Sequence, residues 1–392
     1  MNVLLTHSSS ILKFSRPFLR GNRKSIKTVV CCISLILSFF TSAAQNPVSY
    51  PKDKKLSKPE LNFEVFWRTF EDNYAFFTLR KIDWQRAYSV NKLKINATTS
   101  DDSLYNVLCQ MLAPFEDNHI NLIVPGIKQF KSTKPSQFVN EFPTDSLRTA
   151  FRSMVDTDLE HNGFQPMQYK GPKFRNQPLF AWTVSRNLGY LRFNRCFVEA
   201  DAEGEPDARI ASLILDSIFL NFKDLKGLIV DVRDNVGGND QFSYELASRF
   251  AVKKTLGTSV RTRIRGGKYE QLGPSIKTYI IPKEQLNFHG PVVVLTNDKT
   301  VSAGDVFAVL MTELPNTTII GSNTRGIYSD MYGFTLPNGW QVSLSNQRYY
   351  NNEGICFEGS GTPVDVKVMN TKADLSSGVD PVLRRAFKEL SK

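Results

Sequence analysis

Two short apolar runs constrain this chain most: Leu228-Ile229-Val230 ahead of Asp231, and Val292-Val293-Val294-Leu295. Each is followed by a turn and then by residues of helical periodicity, so each reads as a strand feeding a helix. The alternation recurs from residue 188 onward. Strands are expected over 189–193, 227–232 and 292–295, and helices over 207–222, near 242–251, and from Ser302 to a stop before Pro315. This pattern predicts an α/β sandwich. Residues 332–336 and 340–344, joined through Pro337-Asn338-Gly339, read as a hairpin, and a last helix is expected over 381–390.

The chain upstream is of another kind. Ser57-Lys58-Pro59-Glu60 is a capping-box pattern, and Phe63, Phe66, Trp67, Phe70, Tyr74 and Phe77 follow at helical spacing. Such a stripe faces a core rather than a ligand groove. Further helices over 84–93 and 102–112 lead into Asn118-His119, so residues 58–125 form a small helical domain that presents this pair. Residues 126–180 carry mixed charge, Pro135, Pro143, Pro166 and Pro172, and no strong period. They read as a connecting region before a larger domain over 181–392.

Composition bounds the setting. The chain has 392 residues, 41% of them hydrophobic, enough for a sizeable core. Residues 1–44 hold Lys13, Arg16, Arg20, Arg23, Lys24 and Lys27 without an acidic residue, then an apolar run over 29–40 and the small residues Thr41-Ser42-Ala43-Ala44. This is the layout of a signal peptide, followed by a linker over 45–57, and it implies export to the periplasm or beyond. The run is short for a bilayer span, so no stable membrane insertion is expected after cleavage; an uncleaved anchor is the alternative. The leader supplies about half of the net charge of +11, and no basic run interleaved with aromatics follows, so nucleic acid is not an expected partner. Cys109, Cys196 and Cys356 are too widely spaced for a metal or disulfide framework.

Three places carry candidate chemistry. Ser302, in Thr300-Val301-Ser302-Ala303-Gly304-Asp305, stands at a helix start, where it is either an N-cap or a nucleophile favoured by the helix N-terminus. Gly237-Gly238 ends the turn Asp231-Val232-Arg233-Asp234-Asn235-Val236, which is either an ordinary strand-to-helix turn or a source of N–H groups for an oxyanion. His119 meets the start of an apolar strand, whereas His161 lies in a polar turn and His289 beside Gly290-Pro291. A structural histidine is the competing reading.

Asp-x-Arg-x-Asn-x-Gly-Gly (231–238), Ser302-Ala303 ahead of an acidic residue, the earlier Asp117-Asn118-His119 and the late Gly361 to Asp365 resemble, in order, the tail-specific or C-terminal processing serine peptidases and their tricorn-core relatives. The resemblance implies a crotonase- or Clp-protease-like mixed α/β core with a small N-terminal helical domain, a peptide or protein substrate, and no metal or cofactor. It makes Ser302 the nucleophile and places the oxyanion hole at Gly237 or Gly238 with Ala303. The tail-specific branch uses a lysine where Ile327 stands here. The tricorn-like branch uses a histidine and a late glutamate, matched by His119 and Glu358, with Asn118 in place of a serine as a further orienting group. A Ser-His mechanism is therefore expected, with Lys299 and Lys367 as the rival bases. Asp231, Arg233, Asn235, Asp305 and Asp365 are assigned to support. No PDZ module is expected in 126–180, because no Gly-Leu-Gly-Phe type loop is present. A non-catalytic binding protein on the same scaffold is the alternative function.

Overall fold

Ser57 opens the first helix by donating its N–H and its hydroxyl to Glu60, at 3.0 and 2.6 Å, with Pro59 in the first turn where a missing N–H is harmless. The computed structural model describes residues 56–198 and 207–392; the basic leader and its apolar run lie outside them. Helices α1 (Lys58–Asn73), α2 (Trp84–Lys92) and α3 (Asp101–Leu112) lead to β1 (Asn121–Val124) and β2 (Lys128–Lys131). Next come α4 (Gln137–Glu141), α5 (Asp145–His161), β3 (Gln168–Phe174), β4 (Gln177–Val184) and β5 (Leu188–Phe193). The middle of the chain forms α6 (Asp207–Phe219), β6 (Gly227–Asp231), α7 (Asp240–Ser248), β7 (Thr255–Thr262), β8 (Ile276–Ile280) and β9 (Val292–Thr296). The remainder forms α8 (Ala303–Thr312), β10 (Thr317–Gly321), β11 (Met331–Thr335), β12 (Gln341–Ser345), β13 (Gln347–Tyr350), β14 (Val366–Lys367), α9 (Asp374–Ser377) and α10 (Pro381–Leu390).

The main sheet runs β14-β10-β9-β6-β5-β4-β3, parallel from β14 to β5 and antiparallel beyond. Its central strands are buried on both faces, which is why they read as unbroken apolar runs. Leu228, Val230, Val292 and Val294 meet α6, α7 and α8 on one face, while Ile229, Val293 and Leu295 meet α5 and α10 on the other. The α/β sandwich expected from the alternation is the architecture observed.

Two boundaries differ from the sequence reading. The region over 126–180 does more than connect: α5 covers one face of the main sheet, and β3 and β4 extend it, so the large unit begins well before residue 181. The edge strand β3 gives no strand signal in the sequence because it is mostly solvent-facing, lacks alternation, and breaks register between Lys170 and Lys173, where Pro172 stands. The hairpin β11–β12 does form, but it joins the small lobe rather than the large one. Its strand β12 pairs with β1, Leu122 opposite Val342, giving the sheet order β11-β12-β1-β2. Phe334, Leu336, Trp340, Val342 and Leu344 thereby complete the core begun by Phe63, Phe66 and Phe70. The lobe is built from both ends of the chain.

Arg233 locks the end of β6 to the C-terminus. Its guanidinium meets Asp231 at 2.6 Å and Asp380 at 2.7 Å, and Asp380 also caps α10 through the Val382 N–H. All three ionised groups are buried. Asp380→Ala strips Arg233 Nη1 of one carboxylate partner and α10 of its cap, so it is expected to lower unfolding free energy by about 3 kcal/mol. Urea unfolding checks this; a loss below about 1 kcal/mol would show that α10 is held by its apolar face alone.

Candidate active site

Ser302 occupies φ 61°, ψ −125°, a backbone state that disfavours any side chain. Holding it there costs on the order of 1–3 kcal/mol, so the surroundings must over-determine the turn. They do so from both sides. The Ser302 N–H donates to Asp305 Oδ2 at 2.9 Å, the Val301 N–H donates to the Asn235 carbonyl at 3.1 Å, and the Thr300 hydroxyl donates to the Val232 carbonyl at 2.8 Å. Ser302 is half-buried at the head of α8, whose residues 303–311 are buried all round. A hydroxyl is thus fixed at a helix N-terminus, where a developing negative charge is favoured.

The glycine pair lies directly against it. A Cβ on Gly237 would come within 2.6 Å of the Ser302 Cβ, and one on Gly238 within 2.4 Å of the Cys196 carbonyl oxygen. With φ of 80° and 146°, neither position suits another residue. The two glycines are not equivalent as donors. Gly237 gives its N–H to the Asn235 side chain at 2.8 Å, so it drops out of the candidate oxyanion hole. The N–H groups of Gly238 and Ala303 have no acceptor among the described residues, and they remain as the pair available to an oxyanion. Asn235 braces the loop as expected, also donating to the Phe193 carbonyl at 3.1 Å. Asp231 and Arg233 act farther off, through α10. Asp365 fastens its loop to β10 by accepting the Ile319 N–H at 2.7 Å.

His119 enters from the small lobe at the head of β1. Asp117 accepts the His119 backbone N–H at 2.9 Å and the Tyr74 hydroxyl at 3.0 Å, while Ser343 donates to the His119 carbonyl at 2.6 Å. The backbone is therefore pinned on both sides of the ring. Burial pushes the imidazole down to about 4, against the pull of Asp117 and of the Ser329 backbone, so the ring is neutral near pH 7. Its Nδ1 is buried without a partner, and it makes no hydrogen bond to Ser302 or Glu358 among the described residues. Catalytic hydrogen bonds are often made only when substrate is bound.

Glu358 instead spends its two oxygens elsewhere: Oε1 on Arg80 at 2.9 Å and Oε2 on the Tyr328 N–H at 2.9 Å. Arg80 lies 4.0 Å from Asp117 as well, so one guanidinium sits between two buried carboxylates from opposite parts of the chain. Burial and the nearby Asp117 charge raise the Glu358 pKa, and Arg80 works against them. Asn118 does not bond to this group; its side-chain oxygen accepts from Arg325 Nε at 3.1 Å. Arg80 and Arg325 carried no sequence signal, because their partners lie tens to hundreds of residues away.

The two halves of the site are joined by one strap, residues 325–329. Asp305 accepts the Gly326 N–H at 2.8 Å and the Ile327 N–H at 3.1 Å on the carboxylate that also holds Ser302. Two residues on, Ser329 offers its backbone to His119. Burial pushes the Asp305 carboxyl up to about 6 against these donors. Ile327, at the position where one branch of relatives carries lysine, is fully buried. Lys299 pairs with Asp234 at 3.4 Å, and Lys367 is exposed on β14. A solvent-open cleft near the end of β6 is lined by Arg152, Gln177, Phe193, Asn194 and Asp234 among others, and none of Ser302, His119, Gly237 or Gly238 lines it. Among the described residues no three His, Cys, Asp or Glu side chains converge as metal ligands.

Comparison with known proteins bears on the same segments. A model of peptidase family S41 matches residues 187–368, and a model of the tricorn protease C1 domain matches residues 57–113. A solved structure from Parabacteroides merdae, assigned as a peptidase, superposes with a TM-score of 0.70 at 27% identity, covering 85% of this chain and 97% of that one. The carboxy-terminal-processing protease of Bartonella bacilliformis is 25% identical over 202 residues, 52% of this chain and 43% of the relative. The tricorn protease of Thermoplasma acidophilum is 26% identical over 217 residues, 52% of this chain and 18% of the relative. The matches thus span less than half the length of either relative.

Titration of His119 followed by NMR is expected to give a midpoint of about 4. A ring whose folded pKa lies below its unfolded value of about 6.5 binds fewer protons when folded, so its contribution to stability is lost as pH falls through that window. A midpoint near 6.5 would show the ring to be solvated.

Proposed function

The chain belongs to peptidase family S41, and we propose that it acts as an exported serine endopeptidase that hydrolyses peptide bonds through an acyl-enzyme. The observation that carries this reading is the strained Ser302 turn pressed against Gly237, with the N–H groups of Gly238 and Ala303 left without acceptors among the described residues. A turn built only to cap a helix has no need of positive φ at serine or of a glycine in contact with its Cβ.

In this mechanism Ser302 Oγ attacks the scissile carbonyl carbon while His119 accepts the hydroxyl proton. The carbonyl oxygen becomes an oxyanion held by Gly238 and Ala303. Collapse of the tetrahedral species breaks the C–N bond, and His119 returns its proton to the departing amine. Water then enters, gives a proton to His119 and attacks the ester carbonyl; as the C–Oγ bond breaks, His119 passes that proton to Ser302 Oγ and the acid product leaves. A neutral imidazole at working pH suits the accepting step. Glu358 and Arg80 position the strap and the His119 segment and do not touch the reacting atoms. Ile327, which cannot act as a base, supports histidine over lysine in this role. The substrate is a peptide or protein. Export rests on the basic leader, the apolar run over 29–40 and the small residues after it.

A fluorophosphonate probe is expected to label the wild type and not Ser302→Ala. Loss of His119 is expected to lower kcat by roughly 10⁴-fold, as removal of a general base does elsewhere. Folded wild type that never labels would instead favour a binding protein on the same scaffold. Full turnover by His119→Ala would move the base to a lysine.

A further inference from the structure

Arg325 brackets the two loops that carry the candidate nucleophile and base. From the base side its Nε donates to the Asn118 side chain at 3.1 Å, its Nη1 donates to the Pro135 carbonyl at 3.4 Å, and its Nη2 donates to the Lys134 carbonyl. On the nucleophile side Nη1 also donates to the Asp298 carbonyl at 3.3 Å, and the Arg325 backbone N–H donates to the Thr300 carbonyl at 2.8 Å. Asn118 precedes His119, and Thr300 lies two residues before Ser302. We propose that Arg325 is a positioning residue that sets where His119 stands relative to Ser302. This inference rests on the Ser302–His119 reading of the site.

The chemistry favours this role over a general structural one. Arg325 is 6% exposed, yet every acceptor its guanidinium meets is a neutral oxygen. Asp298 is near, but its carboxylate is taken up by the Ser136 hydroxyl at 2.8 Å and the Phe138 N–H at 3.1 Å, at the head of α4. A buried cation without an ion pair is costly, and an apolar side chain would fill the volume more cheaply. What an apolar side chain lacks is a planar fork able to reach several carbonyls in fixed directions. The strap also connects to the reacting groups at its other residues, since Ile327 reaches Ser302 through Asp305 and Ser329 faces His119. In relatives with a lysine base this stretch supplies a side chain to the reaction. Here it supplies backbone N–H groups and one bracket.

Three variants test the proposal in the full chain: Arg325→Ala, Arg325→Lys and Asn118→Ala. Arg325→Ala is expected to lower kcat by 100-fold or more on a peptide substrate with KM changed less than threefold, and added guanidinium ion is expected to restore at least tenfold of it. No such rescue is expected in His119→Ala. Arg325→Lys, which loses the fork, should fall between wild type and Arg325→Ala. Asn118→Ala removes only the Nε partner and leaves the carbonyl contacts, so it guards against misfolding of the arginine variants. It should lower kcat by about tenfold or more, and adding it to Arg325→Ala should cost nothing further, as for residues acting through one another. Wild-type kcat in folded Arg325→Ala, or fully additive effects of the two sites, would overturn the proposal. If the wild type itself turns over no peptide, the peptidase reading fails, and the bracket is read on the His119 NMR signals. Unchanged shifts and midpoint in Arg325→Ala would then overturn it.

Discussion

The carboxylate of Asp305 is the point from which the rest of the site is built. It is fully buried and accepts N–H groups from Ser302, Gly326 and Ile327, so it joins the nucleophile turn to the strap that runs on to His119. Burial alone would drive this group to protonate. Several converging donors offset that tendency, and hydrogen bonds to a charged acceptor contribute roughly 1.5–3 kcal/mol each. The same bonds compensate the unfavourable φ of Ser302. Its place in the first turn of α8 also suits the helix dipole. A residue that reads as simple support is therefore the one that makes a strained serine affordable.

The lobes are tied by charge as well as by apolar packing. Tyr74, Arg80 and Asp117 come from the small lobe, Glu358 from the far end of the chain, and they meet in one buried network. Buried ion pairs add little net stability compared with apolar groups of the same shape, but they tolerate few alternative geometries. Specific placement is what a base contributed by one lobe and a nucleophile contributed by the other require. The hairpin over 331–345 reinforces this, because it completes the small lobe's sheet and leads back directly into β13.

The match to the peptidase family S41 model over residues 187–368 leaves open which base the proposed mechanism uses, and three local observations bear on that proposal. Ile327 is sealed in the interior, Lys299 is engaged by Asp234, and the histidine that a related branch uses is buried and neutral. The departure at Asn118 is accommodated in kind: an amide oxygen in place of a hydroxyl accepts from Arg325 rather than joining Glu358.

Much of this was legible in the residues because it is local. Strand runs buried on both faces must be apolar, a Gly-Gly pair at positive φ tolerates no Cβ, and a serine between a strand and a helix declares itself by spacing. The edge strand β3 and its neighbour β4, the pairing of β12 with β1, and the partners of Arg80 and Arg325 were not legible. Edge strands lack a two-sided apolar signature, and an arginine that will be buried looks in sequence like one that will be solvated. Sequence by itself determined the sandwich, the Ser302 turn and the glycine loop, since propensity and sterics act within a few residues. Only the tertiary structure decided which glycine N–H stays free among the described residues, which donors Glu358 and Asn118 meet, and how the strap over 325–329 links the Ser302 turn to the His119 segment. Hydrogen-bond partners far apart along the chain are chosen by packing, which no short window of residues encodes.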